Sequence, residues 1–458
     1  MNNTPATPPL PPPPTNRFAS TFKLVFVGVL ALLLLIPLSM VKSLLSERRA
    51  RQAEAIRNIT EAWGDSQTLT GPILVVPYRT PVKTLREQMV EGHYKTIEET
   101  SWSTAQACFL PTNLSVVGTL DPSVLHRGIY DAVVYRGALA LTGSFAPPDF
   151  SDWKIDPSNI LWEEASVLIS VSAPRGLSDA LVLRFGGTSL PLSPGPAMAS
   201  FATPLRTRLP AGTLDPKKPT AFELDVKLNG SEGLRIAPVG MQTRVTLDSP
   251  WADPSFQGAF LPVQREVTPN GFKAVWQVSY YGRAFPQAWT SVERMNAAEG
   301  LARCAFGVSL VTPVDSYRLV ERAMKYGILF VVLLFTGFFL FETLARLRIH
   351  PLQYLLIGAA LCVFYLALLA LSELLPFGGA YLTAAGAATA LVTGYSAAVL
   401  GSRRRALAIG LELTLIFGFL YITLQLQDYA LVFGAAGLFA ALAVVMFTTR
   451  RVNWYEAR

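Results

Sequence analysis

Six stretches of this chain run for about twenty residues with almost no charge, and no soluble fold can bury them all. They cover residues 22–41, 326–345, 352–371, 377–400, 406–426 and 429–448. A helix rising about 1.5 Å per residue crosses a hydrocarbon core of about 30 Å in about 20 residues, so each stretch is long enough to span a bilayer. Composition agrees, with 51% of residues hydrophobic and 16% charged, against roughly 25% charged in ordinary soluble domains. The first stretch is expected to stay as an anchor. Its apolar run is too long for a cleavable leader, and no small-x-small cleavage site follows Val41.

Loop charges give the spans a direction. Arg346 and Arg348 follow the second span, Arg403, Arg404 and Arg405 the fourth, and Arg450 and Arg451 the sixth. The turns 372–376 and 427–428 hold neither Lys nor Arg. Because Lys and Arg in short loops mark the cytoplasmic side, both termini are expected in the cytoplasm and residues 42–325 outside it. That segment opens with Lys42, Arg48, Arg49 and Arg51 and closes with Arg318, Arg322 and Lys325, against the rule. Long translocated domains cross largely regardless of such charges, so the alternation in the C-terminal loops decides. The net charge of +7 then belongs to the cytoplasmic face, and no nucleic-acid partner is expected.

The expected fold class is a polytopic α-helical membrane protein of six spans with a large β-rich extracytoplasmic domain inserted between spans 1 and 2. Residues 1–16, which include Pro11 to Pro14, form a Pro-rich tail of extended or disordered character. Residues 43–63 show helical spacing of Leu45, Ala53, Ile56, Ile59 and Trp63, which reads first as a stalk continuing span 1. Short β-like runs follow at 73–76, 132–135, 167–171, 180–185, 222–228, 243–247, 274–281 and 307–311. In 222–228, Phe222, Leu224, Val226 and Leu228 alternate with Glu223, Asp225 and Lys227, the pattern of a half-buried strand. Helices between the strands are lacking, so an antiparallel domain is expected and a doubly wound one excluded. The Pro-rich stretch 191–210 is expected to divide it into two lobes. Residues 326–449 form the helical bundle and 450–458 a cytoplasmic tail.

Chemistry is sparse. His93, His126 and His350 share no metal-ligand spacing, and neither a P-loop nor a GxSxG elbow occurs. Ser151 and Lys154 match SxxK, yet Ser20 and Lys23 match it equally well, and the companion SDN and KTG motifs are missing. Cys108 and Cys304 fall on the oxidising side, leaving two readings, a single disulfide or independent burial, with burial favoured; Cys362 lies inside a span. No catalytic, cofactor-binding or metal residue is assigned, and no cofactor or enzymatic activity is expected. The polar positions that stand out are intramembrane. Glu342 has Arg346 four residues on, at ion-pair spacing on one helix face. Glu412 lies about 10 Å inside span 5 beyond Arg405. Snorkelling and pairing at the interface account for both; a proton or ion relay is the other reading.

Several motifs carry a family likeness. They are Trp63 and Gly64 with Gln67, Gly71, Pro72 and Pro77; the run Leu234 to Gly240; Trp251 with Pro254, Phe256 and Gly258; and Pro313, Asp315 and Tyr317 with Glu321, Arg322, Lys325 and Tyr326. The most specific stretch joins Phe341 and Glu342 to Arg346, His350, Pro351 and Tyr354, followed by Ser372, Glu373, Asp428 and Tyr429. Through these the chain resembles the CreD family, bacterial inner-membrane proteins associated with cell-envelope integrity. The resemblance implies the same topology, an inner-membrane location and an envelope-maintenance role linked to the regulon of a two-component system. It transfers no catalytic residue. Three functions stay in view: a non-enzymatic envelope protein acting through a periplasmic β domain that binds an envelope component or protein; a transporter or lipid-handling protein using Glu342 and Glu412; and a sensor coupled to a cytoplasmic partner. The lipid bilayer is the partner all three share.

Overall fold

The computed structural model describes residues 18–450 except 91–92, 197–200, 202–203, 292–296, 311–315, 345–348 and 427–428, and the side chains of 18–24, 84–98, 297–298, 341 and 343–344 lie outside the description. The Pro-rich tail, the 450–458 tail beyond Arg450, Asp315, Arg346 and the His93 ring therefore fall outside the described residues.

The chain opens with helices α1 (Phe18–Leu33) and α2 (Leu35–Trp63). Pro37 accounts for the break between them, because it has no N–H to give to the carbonyl of Leu33 one turn back. Beyond the break α2 runs on from apolar residues into charged ones, so the expected 43–63 helix is a continuation of the first span. The remaining helices are α3 (Ala297–Arg303), α4 (Ser316–Lys325), α5 (Gly327–Leu344), α6 (Pro351–Leu371), α7 (Phe377–Val399), α8 (Arg403–Gln425) and α9 (Ala430–Thr449). Among the described residues five helices, with α1 and α2 taken together as one, are long and apolar enough to cross a membrane, or six if α4 and α5, bent by 47°, count as one span. Gly327, a weak helix former, sits at that bend.

Two units divide the chain, one of residues 53–313 and one of the helices that precede and follow it. These unit boundaries lie inside the expected topological ones at 42 and 325. Residues 42–52 and helix α4 group with the membrane helices, held by ion pairs within that unit.

Residues 53–313 hold seventeen strands among the described residues. The first nine are β1 (Gln67–Val90), β2 (His93–Phe109), β3 (Asn113–Arg127), β4 (Tyr130–Phe145), β5 (Ser166–Val171), β6 (Val182–Phe185), β7 (Thr188–Pro191), β8 (Ser193–Pro194) and β9 (Leu205–Arg208). The others are β10 (Thr220–Ser231), β11 (Gly233–Ile236), β12 (Gln242–Ser249), β13 (Pro254–Gly258), β14 (Gln264–Thr268), β15 (Gly271–Ser279), β16 (Ala288–Thr290) and β17 (Phe306–Leu310). One sheet runs β13-β17-β11-β1-β5-β9-β8, with β2 pairing both β1 and β16; the other runs β14-β15-β12-β3-β4-β10-β6-β7. All eight sequence-predicted strands overlap these elements: five lie wholly inside them, the 180–185 run starts two residues before β6, the 274–281 run passes two residues beyond β15, and the last residue of the 307–311 run lies outside the described residues.

Two expectations need correction. The domain is mixed, because β1 pairs β11 and β12 pairs β3 in parallel; these partners are far apart in sequence, which leaves chain enough for the return that parallel pairing needs. The Pro-rich stretch does not divide two lobes. It carries the chain from β7, on one sheet, to β8 and β9 on the other, and a single apolar core joins the inward faces of both, from Leu69, Val75 and Ile169 to Val116, Leu141, Leu224 and Trp276. In β10, Phe222, Leu224, Val226 and Leu228 are buried and Glu223, Asp225 and Lys227 exposed, as their alternation predicts. Burying each such side chain contributes about 1.5–3 kcal/mol. Cys108, Cys304 and Cys362 are buried free thiols, and burial pushes the Cys108 thiol up to about 12.

Candidate functional site

Helix α6 organises the polar groups of the helical unit. It is 21 residues long, about 30 Å by helix rise and so about the thickness of a hydrocarbon core. A polar cluster stands at each of its ends.

At its start, Pro351 takes the first helical position, where no N–H is needed. His350 caps the helix: its Nδ1 accepts from the Leu352 N–H at 3.2 Å, and its own N–H donates to Gln353 Oε1 at 2.9 Å. One turn on, Tyr354 is fully buried, and its hydroxyl donates to Glu342 Oε2 at 2.9 Å. The Ile349 N–H donates to the other Glu342 oxygen at 3.3 Å. Phe335 and Phe338 of α5 pack edge-on against the Tyr354 ring, at 5.5 and 6.1 Å between centroids. Arg346, the sequence-predicted partner of Glu342, lies outside the described residues.

Past the other end of α6, Glu373 receives the Tyr317 hydroxyl at 3.2 Å and faces the Arg48 Nε at 3.6 Å. Glu321 takes both Arg49 and, at 3.7 Å, Lys325. Arg322 lies half-buried on the same helix. Four of the seven basic residues that run against the charge rule are thus matched by acids among the described residues, Arg51 to Glu47 included. Arg48 and Arg49 had no local sequence signal for these roles, because their acids lie hundreds of residues away.

Glu412 shares neither cluster. It sits on α8 in an apolar hollow bounded by α5 and α9, its carboxyl group against the bare Cα of Gly337.

In the β unit the family-motif residues build structure. Trp63 ends α2 with its indole N–H donating to the Tyr135 carbonyl at 3.3 Å and the Arg136 guanidinium 5.7 Å from its ring. Gly64 follows with φ +143°, and any side chain there would strike the Asn229 carbonyl. Gln67, fully buried, donates to the carbonyls of Gly64, Ala173 and Asn229 at 2.6, 3.0 and 3.0 Å, tying helix end to sheet. Gly71 and Pro72 join through a cis peptide inside β1.

Sequence reasoning passed over Arg283. It is 9% exposed and donates from Nη1 to the carbonyls of Pro238, Val239 and Gly240 at 3.0, 2.9 and 3.2 Å. Its other nitrogen, Nη2, donates to Gln287, which in turn donates to the carbonyls of Leu110 and Pro111 at 2.9 and 2.8 Å. Burial pushes the guanidinium down to about 10, so it stays charged at neutral pH. The 238–240 loop supplies acceptors, which is a physical use for part of the Leu234 to Gly240 motif. The Ser151 to Lys154 motif builds a turn: Lys154 closes it at φ 52° with its N–H on the Ser151 carbonyl. His126 sits on an exposed hairpin end beside Asp131, at 2.6 Å.

A family model described as inner membrane protein CreD matches residues 19–455. Inner membrane protein CreD of Escherichia coli (strain K12) is 34% identical over 424 residues, which cover 93% of this chain and 91% of the relative. The chain belongs to the CreD family. An inner-membrane location follows from that membership together with the apolar helices. Of the CreD motif residues, Glu342, His350, Pro351 and Tyr354 meet at one end of α6, while Tyr317, Glu321, Lys325 and Glu373 join Arg48 and Arg49 at the other.

Proposed function

We propose that this CreD-family chain is a non-enzymatic protein that supports envelope integrity and the response to envelope stress, its β-rich domain standing in the periplasm and binding an envelope component or a protein there. The observation that carries this reading is a polar hollow of about 450 Å³ on one face of the β14–β7 sheet. Gln277, Arg244, Ser115 and Thr142 stand in register across four neighbouring strands, β15, β12, β3 and β4. Gln242, Asn113 and Ser144 form the next row, with the Ser144 hydroxyl donating to Asn113 Oδ1 at 3.0 Å. A hydrogen-bonded sheet fixes these amide, hydroxyl and guanidinium groups at set spacings, which is the preorganisation that recognition of a polar partner needs. The arginines of the short C-terminal loops support the orientation.

The test places a photocrosslinking residue at Ser115 in the full chain, in cells, with a control at Leu261. A discrete adduct from the envelope at Ser115 and not at Leu261 is expected, along with altered envelope permeability in cells lacking the protein. Equal labelling at both positions, together with normal permeability and stress tolerance in those cells, overturns the reading.

A further inference from the structure

The hollow around Glu412 has a volume of about 860 Å³ and lies between α5, α8 and α9. Its walls are mostly Leu, Phe and Ala, with Tyr326 and three threonines as the other polar groups, and among the described residues no Lys, Arg or His lines it. The threonine hydroxyls are already engaged: Thr336, Thr423 and Thr448 donate to the carbonyls of Val332, Phe419 and Val444 at 2.8, 2.8 and 2.7 Å. Glu412 is different. Among the described residues none gives its carboxyl group a hydrogen bond or an ion pair. Arg405 stands two turns earlier on α8, about 10 Å away by helix rise.

An ionisable side chain at such depth is costly unless something partners it, and the partner is then a functional clue. The hollow's size falls within the roughly 300–1,000 Å³ of small-molecule sites, and its walls suit an alkyl chain. Small residues of α9, Gly434, Ala435 and Ala441, leave it room. The outer face of α9 is exposed, Val432 and Phe439 included, as expected of a helix that meets lipid.

We infer that this hollow binds a chain-bearing amphiphile whose small head donates hydrogen bonds, a hydroxyl or an ammonium group, seated on the Glu412 carboxyl group. A carboxylate or phosphate head would bring a second acid into the hollow, with no cation among the described lining residues to offset its charge. Gly337 is the companion requirement, because a side chain there would occupy the space that the Glu412 carboxyl group fills.

The test uses the purified full chain in lipid nanodiscs and three photoactivatable probes of one chain length, ending in an alcohol, an amine or a carboxylic acid. Alcohol, amine or both should label peptides of α5, α8 and α9 about tenfold more than the acid probe does, the factor expected of one hydrogen bond to a charged group. Which of the two dominates identifies the source, a lipid alcohol or a lipid amine. In Glu412→Gln, amine labelling should fall about tenfold toward the acid level. The head-group comparison on the unaltered chain needs no variant to fold, and competition by unlabelled alcohol or amine checks it. Equal labelling by all three probes, labelling confined to α6 and α7, or unchanged selectivity in a folded Glu412→Gln protein overturns the inference.

Discussion

Glu342 and Glu412 are acids in apolar helices of the same unit, yet their surroundings are opposite. Glu342 stands near the end of α5, and α6 with the residues just before it supplies donors: the Tyr354 hydroxyl and the Ile349 N–H. Glu412 is in the body of α8, where every backbone N–H within reach is already used by the helix, and the facing residue is a glycine. The difference follows from position. A helix end has unused backbone groups and polar caps, whereas a helix middle offers only side chains from its neighbours. An acid at an end can therefore be structural, and an acid in the middle needs a partner from elsewhere.

This contrast predicts effects of different size and sign. The largest should come from Tyr354→Ala, which empties a fully buried aromatic site packed by Phe335 and Phe338 and also removes one of the donors to Glu342. A loss of about 3–5 kcal/mol is expected in unfolding of the detergent-purified protein; a loss below about 1 kcal/mol would mean that the cluster is not part of the packed core. Tyr354→Phe removes the hydroxyl alone and should cost about 1–3 kcal/mol, the range for leaving a charged group with one donor fewer. Gly337→Ala should cost about 1–3 kcal/mol as an overpacking change, and most of that should vanish in a Glu412→Ala background, a coupling that a double-mutant cycle measures. Additive effects would show that the Glu412 carboxyl group does not rest on Gly337. Glu412→Leu should be neutral or stabilising by up to about 1 kcal/mol, since no bond is lost and a desolvated polar group is removed. Destabilisation there would place a partner on Glu412 and erase the contrast.

Sequence carried the features that a solvent change dictates. Water-to-lipid transfer marks itself as long uncharged runs, so the long apolar helices were legible to within a few residues while α3 and α4 were not, and alternation revealed Phe222 to Leu228 because one face meets a core and the other water. β2 shows the complementary case: residues 99–104 are all exposed and only the end of the strand, Ala105 to Phe109, reaches the core, so no long alternation marks it. The clusters at the ends of α6 were visible only as isolated motif residues. Nothing local joins Arg48 to Glu373 or Gln67 to Asn229, because tertiary packing makes those pairs. Glu342 and Glu412 likewise looked equivalent along the chain; which residue faces each acid is decided by how α5, α6 and α8 pack.

A third acid ranks between the two. Like Glu342, Glu373 receives a tyrosine hydroxyl, here from Tyr317, and it also faces Arg48, but it lies past a helix end with its side chain 17% exposed and that of Arg48 37% exposed. Water then competes for both members of the pair, and the attraction is screened. Glu373→Gln, which keeps an acceptor for the Tyr317 hydroxyl, should therefore cost only about 0.5 kcal/mol, and that cost should shrink at high salt. Unfolding in low and high salt checks both points. A salt-independent loss as large as that of Tyr354→Phe would mean that the pair is dry, and would make the two ends of α6 equivalent supports.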